Sequence, residues 1–168
     1  MEYLMKNLLR IYLMCCLMLL ISCASTSETV IKKDITSIRN VELYLVNSSG
    51  IMLLNYNDAY KINMTSFVDV QQQAIQALEM MQFELLSIGL NIVDKDNNAD
   101  AKFEFSIGNI RFDPLVGYIA DRAIIRILDK NNQIIAIFKA ETEFITPSIN
   151  NLIETLGEEI KKHIIENK

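Results

Sequence analysis

The sequence predicts a two-layer α+β domain: an antiparallel sheet of four to five strands with two amphipathic helices packed on one face. Three observations lead there. Two segments repeat apolar residues at helical spacing, Ala74, Leu78, Met81, Leu85 and Ile88 in one and Ile149, Leu152, Ile153, Leu156, Ile160 and Ile164 in the other. Between them lie stretches that alternate at strand spacing, such as Phe103, Phe105 and Ile107. Finally, 168 residues with 51% hydrophobic and 22% charged side chains are enough for one packed core and too apolar for a disordered chain.

The elements follow in order. Ala24 to about Asn40 is polar and rich in Ser and Thr, and reads as a tether of at most ~60 Å. Val41–Val46 is rich in β-formers and reads as a strand, closed by a turn at Asn47-Ser48-Ser49-Gly50. Residues 51–60 read as a short strand with a loop. Thr65–Ile88 reads as the first helix, opened by the capping pair Ser66 and Asp69 and stopped by Gly89. Its stripe, with Ile75 beside it, is expected to pack on the sheet. Leu90–Val93 is a short strand. The next begins near Phe103 and changes parity after Gly108-Asn109, which suggests a bulge before Asp113-Pro114 ends it. Tyr118–Asp129 and Gln133–Phe144 form a hairpin across Asn131-Asn132, since asparagine tolerates the positive φ of a tight turn. Pairing about that turn sets Ile127 opposite Ala136, Ile125 opposite Phe138, Ala123 opposite Ala140 and Arg122 opposite Glu141. Thr146-Pro147-Ser148 starts the last helix, whose Lys161, Lys162 and His163 complement its dipole.

Composition excludes several chemistries. A net charge of −5 argues against a binder of nucleic acid held by phosphate contacts. One histidine and three cysteines leave almost no room for a zinc site or a cysteine–histidine pair. No P-loop, dinucleotide glycine motif or Ser/His/Asp set is present, so neither an enzyme nor a cofactor is expected. Asp94–Asp100 has oxygens at alternate places like a calcium loop. Ala99 and Phe105 stand where such a loop needs Gly and Glu, so it reads as a solvated turn. By parity Asp121 shares the face of Ala123 and Ile125, near a wet sheet edge. Glu141 and Glu143 read as part of a surface ladder with Arg122 and Lys139, and His163 as a surface residue.

The N-terminus has its own pattern. Lys6 and Arg10 precede an uncharged apolar run, Ile11–Ile21, of eleven residues, too short to span a bilayer; translation could start at Met1 or at Met5. The run ends in Leu20-Ile21-Ser22-Cys23, followed by Ala24. This resembles the bacterial lipobox, with Ile21 a mild departure from the usual Ala, Ser or Val. The resemblance implies cleavage before Cys23 and acyl chains on its thiol and amine, anchoring the chain to a membrane. Residues 1–22 would be the signal peptide, 23–40 the lipidated tether and 41–168 one domain. Cys15 and Cys16 would leave with the signal, so the mature chain could form no disulfide. Its charge would be −6, which gives no polybasic hold on anionic lipid. Ala24, where Asp would retain the protein in the inner membrane, implies the outer membrane on its periplasmic side, or the outer face of the plasma membrane if the source is Gram-positive.

Behind the lipobox, the order from Val41 to Ile165 is similar to small Gram-negative outer-membrane lipoproteins of the YajG and lipopolysaccharide-assembly types. The similarity is one of arrangement and transfers no site residue except Cys23. A protein partner in envelope assembly or maintenance is the expected function, and a periplasmic lipid or small-ligand carrier the alternative. The candidate binding face is the mixed side of the hairpin, with Ile124, Arg126, Ile135, Ile137 and Lys139. Apolar residues ringed by charge are what a binding patch contains. An equal expectation is that the N-terminal strand, the tether or the 51–64 loop covers it.

Overall fold

The structure, a computed structural model, describes residues 26–46, 52–55, 68–94, 98–108, 110–113, 117–141 and 148–166. In chain order these form β1 (Thr26–Ile31), β2 (Asn40–Val46), β3 (Met52–Asn55), α1 (Val68–Ser87), β4 (Asn91–Ile92), β5 (Ala101–Gly108), β6 (Arg111–Asp113), β7 (Gly117–Ile119), β8 (Arg122–Leu128), β9 (Ile134–Glu141) and α2 (Ile149–Lys161). A π-helical turn, Lys162–Glu166, continues α2. The turn at residues 47–50 and Ser66 of the capping pair lie outside the described residues.

The fold is α+β as expected, but the main sheet is larger and mixed. Among the described residues it has seven strands, in the order β1-β9-β8-β5-β2-β3 with β4 also paired to β2. β2 runs parallel to β5, with Leu43 opposite Phe103 and Leu45 opposite Phe105. Between these two strands in sequence lie β3, antiparallel to β2, the 20-residue helix α1 and β4. A connection this long lets the two strands it joins run in the same direction.

Two further corrections concern strand limits. The polar segment expected as a tether contains β1, which pairs with β9 from Thr26 opposite Glu141 to Ile31 opposite Ala136. Ile35 and Ile38, a little further on, are buried in the core. The strand beginning near Phe103 does not bulge and continue. It ends at Gly108, and Arg111–Asp113 pairs with Gly117–Ile119 in a separate two-stranded ribbon.

The hairpin follows its predicted register at all four pairs. Asn132 has φ of 57° at the turn. The Asp129 carboxylate accepts from the backbone N–H of Asn131 and Gln133, and Lys33 Nζ lies 2.7 Å from its other oxygen. These donors hold the Asp129 carboxyl below its ordinary range, the Lys33 bond contributing most.

One apolar cluster joins the layers. Val41, Leu43, Phe103, Phe105, Ile125, Ile127 and Phe138 from the sheet meet Leu78, Met81 and Leu85 of α1 and Leu152, Leu156 and Ile160 of α2. Both predicted stripes therefore face this cluster. At the end of α1, Gly89 takes φ of 88°; its N–H donates to Leu86 O and the Leu90 N–H to Leu85 O. This six-to-one and five-to-two pattern closes the helix and needs a residue at ease with positive φ. At the start of α2, Ser148 Oγ accepts from the Asn151 N–H, as its place in the sequence suggests.

Asp100, the last residue of the supposed calcium-like turn, has a structural role. Its Oδ2 accepts from the N–H of Arg39 at 3.0 Å and of Asn40 at 2.9 Å, fixing the entry to β2. The Asn40 and Arg39 donors hold its carboxyl below the ordinary 3.8. A lowered carboxyl stabilises the fold above the unfolded-state value, and the contribution is lost as pH falls through the folded-state value. Asp100→Asn should cost about 1–2 kcal/mol in urea titrations at pH 7. The difference from the parent should shrink below pH ~3.8. A pH-independent difference would show that the carboxylate charge is not what matters.

Candidate binding face of the sheet

Alternation along each strand sends one set of side chains into the helix-covered core and the other to the opposite face. On that second face the pairings line up rows across the sheet. One row runs Tyr44, Glu104, Arg126, Ile137, Val30. The next runs Ser106, Ile124, Lys139, Glu28. Apolar and charged residues are thus intermixed on this face, with Arg126 beside Glu104 and Ile137, and Ile124 beside Lys139. Ion pairs tie the charged members together: Arg126 lies 3.8 Å from Glu104, and Lys139 lies 2.7 Å from Glu141 and 3.5 Å from Glu28. The hydrogen bond to Glu141 is the main reason the Lys139 ammonium is held above its ordinary value.

Burial is graded across this face. Near β2, Glu42, Tyr44, Val46 and Ser106 are buried. In the middle, Ile124, Arg126, Ile137 and Lys139 are half-buried, and at the edge Glu28 and Val30 are exposed. A depression of about 200 Å³ lies among Ser106, Gly108, Arg122, Ile124 and Arg126. Gly108 leaves room for Arg122, whose Nε would stand only 3.1 Å from a β-carbon there.

Four of the five proposed face residues stay together on this surface. The fifth, Ile135, does not. It is 6% exposed and belongs to the core cluster. The cause is a shift of pairing between Ile127 and Leu128: Ile127 faces Ala136 and Leu128 faces Ile134, so Ile135 is the extra residue. Its carbonyl accepts the N–H of Lys32 and Lys33, where the chain leaves β1. Simple alternation counted outward from the turn cannot see that bulge.

Other candidates resolve individually. Asp121 sits in the bend before β8, half-buried, with its N–H donating to Gly108 O. His163 is half-buried rather than a plain surface residue; its ring lies 5.8 Å from that of Phe138, and Nε2 is 3.6 Å from Glu159. Glu143 and Cys23 lie outside the described residues. Among the described residues, no three His, Cys, Asp or Glu side chains converge as metal ligands would.

Sequence reasoning missed Glu42. It is a carboxylate only 5% exposed, hydrogen-bonded by the Tyr44 hydroxyl. The signal was available, since Glu42 and Tyr44 alternate with Val41, Leu43 and Leu45 along β2. It also missed a groove of about 460 Å³ between α1 and α2, lined by Met80, Phe83, Ile153, Glu79, Glu84 and Glu154, among others. Burial and the charges of Glu154 and Glu158 push the Glu84 carboxyl above its ordinary range. Among the described residues the groove is walled by the two helices, whereas a carrier's cargo was expected between helices and sheet.

No family model and no curated protein matches the chain. Solved structures do. A single-substitution variant of PelC from Paraburkholderia phytofirmans, described as a dodecamer, is similar at 11% identity with a TM-score of 0.50, over 83% of this chain and 93% of that one. A DUF4136 family protein from Bacteroides thetaiotaomicron is similar at 10% identity with a TM-score of 0.48, over 84% of this chain and 95% of that one. At 11% identity the likeness to PelC is one of fold alone.

Proposed function

We propose that the chain is a non-enzymatic lipoprotein, held by acyl chains on Cys23 at the periplasmic side of an outer membrane, that binds a protein partner in envelope assembly or maintenance. The observation that carries the binding role is the face of mixed apolar and charged residues centred on Ile124, Arg126, Ile137 and Lys139. Its apolar members are half-buried on the side of the sheet away from the helices. A patch of this kind gains from desolvating the isoleucines, while the charges around them select the partner. PelC, of similar fold, assembles as a dodecamer, so a fold of this kind can carry a protein–protein interface.

The test is a photo-crosslinking residue at position 137 in cells. A discrete adduct is expected, and Ile124→Asp should reduce it at least tenfold, since burying an unpaired charge in an interface costs ~2–5 kcal/mol. Ile124 is only half-buried, so circular dichroism and the melting temperature should change little. An adduct indifferent to Ile124→Asp, or none, would overturn the assignment of this face. Ile135→Asp does not serve, because it puts a charge into the core.

A further inference from the structure

β1 ends the sheet. It pairs with β9 on one side only, and no described strand lies on its other side. The Lys32 N–H donates to Ile135 O, and Lys32 continues the β1–β9 register. In an antiparallel pair, successive residues turn their backbone groups to opposite sides. The even-numbered residues of β1 therefore face β9. The N–H and C=O groups of Ser27, Thr29 and Ile31 face outward.

Natural edges are usually blunted by proline, a bulge or inward-pointing charge. β1 has no proline, and its pairing with β9 runs without a register shift. It also exposes two large apolar side chains, Val30 at 44% and Ile31 at 41%. We propose that this edge pairs with β1 of a second copy of the chain, antiparallel and two-fold symmetric, with Val30 opposite Val30 of the partner copy.

The sequence of the edge selects that register. With Val30 facing itself, Glu28 lies opposite Lys32 of the other copy, twice by symmetry. Thr29 lies opposite Ile31 and exchanges both backbone hydrogen bonds with it, again twice. One step towards the N-terminus, with Thr29 facing itself, charge meets valine. Two steps, and Glu28 faces Glu28, a like-charge pair that is unfavourable. Of these three registers only the proposed one sets the opposite charges against each other; it also pairs the outward groups of Thr29 and Ile31 and covers both exposed apolar residues. Few residues take part, so the association is weak in dilute solution. Two copies held on one membrane surface would meet at a far higher effective concentration.

The test uses full-length chain in membranes. Val30 partners occupy a non-hydrogen-bonded site, where β-carbons approach to ~4.5–5.5 Å, so Val30→Cys should give a disulfide-linked dimer on mild oxidation. Glu28→Cys should not, since its two copies would stand roughly 13 Å apart along the strands. Adding Thr29→Pro to Val30→Cys should abolish the link, because it removes an outward N–H and none used by β9. Charge reversal gives a second reading that needs no oxidation. Glu28→Lys and Lys32→Glu should each lose self-association at least threefold by crosslinking of amines or by co-purification of differently tagged copies. Mixed together, they should recover it, because every cross-pair is then opposite in sign. Equal linkage from Glu28→Cys, persistence with Thr29→Pro, or no recovery in the mixture would each overturn the proposal.

Discussion

Replacing Cys23 with serine is expected to leave a full-length precursor with no incorporated acyl chain. Labelled palmitate should enter the parent and not the variant, and intact mass should show residues 1–22 retained. The physical argument is anchoring energy. Each buried methylene contributes ~0.8 kcal/mol, so two or three acyl chains hold a protein that one would not. Cleavage before Cys23 would leave a net charge of −6, the wrong sign for a hold on anionic lipid. Among the described residues no helix is long and apolar enough to cross a bilayer. A variant cleaved at the normal place would show that an ordinary signal peptidase acts here and that the lipobox resemblance misleads.

Phe103→Ala should be the most damaging change in the folded domain. Phe103 is fully buried on β5, between Leu43 and Ile127 on its neighbouring strands. Truncating such a ring costs about 3–5 kcal/mol. A domain of this size has about 5–15 kcal/mol in total, so the loss is a large fraction of its stability. Urea unfolding should show a lower midpoint with an unchanged slope. Phe83→Ala is the matched control. That ring, on α1, is 70% exposed, and its removal should shift stability by no more than about 0.5 kcal/mol. Equal losses at both positions would mean that the layers are not packed as described.

What could be read from the sequence was the part governed by short-range rules. The stripe of α2 was complete, with all six predicted residues buried, because helical period and burial coincide there. The hairpin register followed from one turn and one alternation. Gly89 and Ser148 marked helix ends through local backbone chemistry. What escaped depends on distant partners. β1 looked like a tether because its Ser, Thr and Glu suit solvent, and only β9, far along the chain, makes it a strand. The parallel pairing of β2 with β5 has no local signature at all. Of the candidate face, Ile124, Arg126, Ile137 and Lys139 were placed correctly by alternation. Ile135 was not, since a bulge is a property of two strands together.

The pairing of β1 with β9 also orders events in time. Thr26 Oγ1 bonds the carbonyl of Glu141, 115 residues later, so the first strand of the domain can be seated only when nearly all of the chain has emerged. Closing a loop of that length is slow relative to forming α1 or the β8–β9 hairpin, and contacts this remote are made late. As the chain folds, β1 would stay unpaired while the rest of the main sheet assembles, and it would then dock as the final strand. In hydrogen exchange, its amides should be the first of the main sheet to lose protection and the last to regain it.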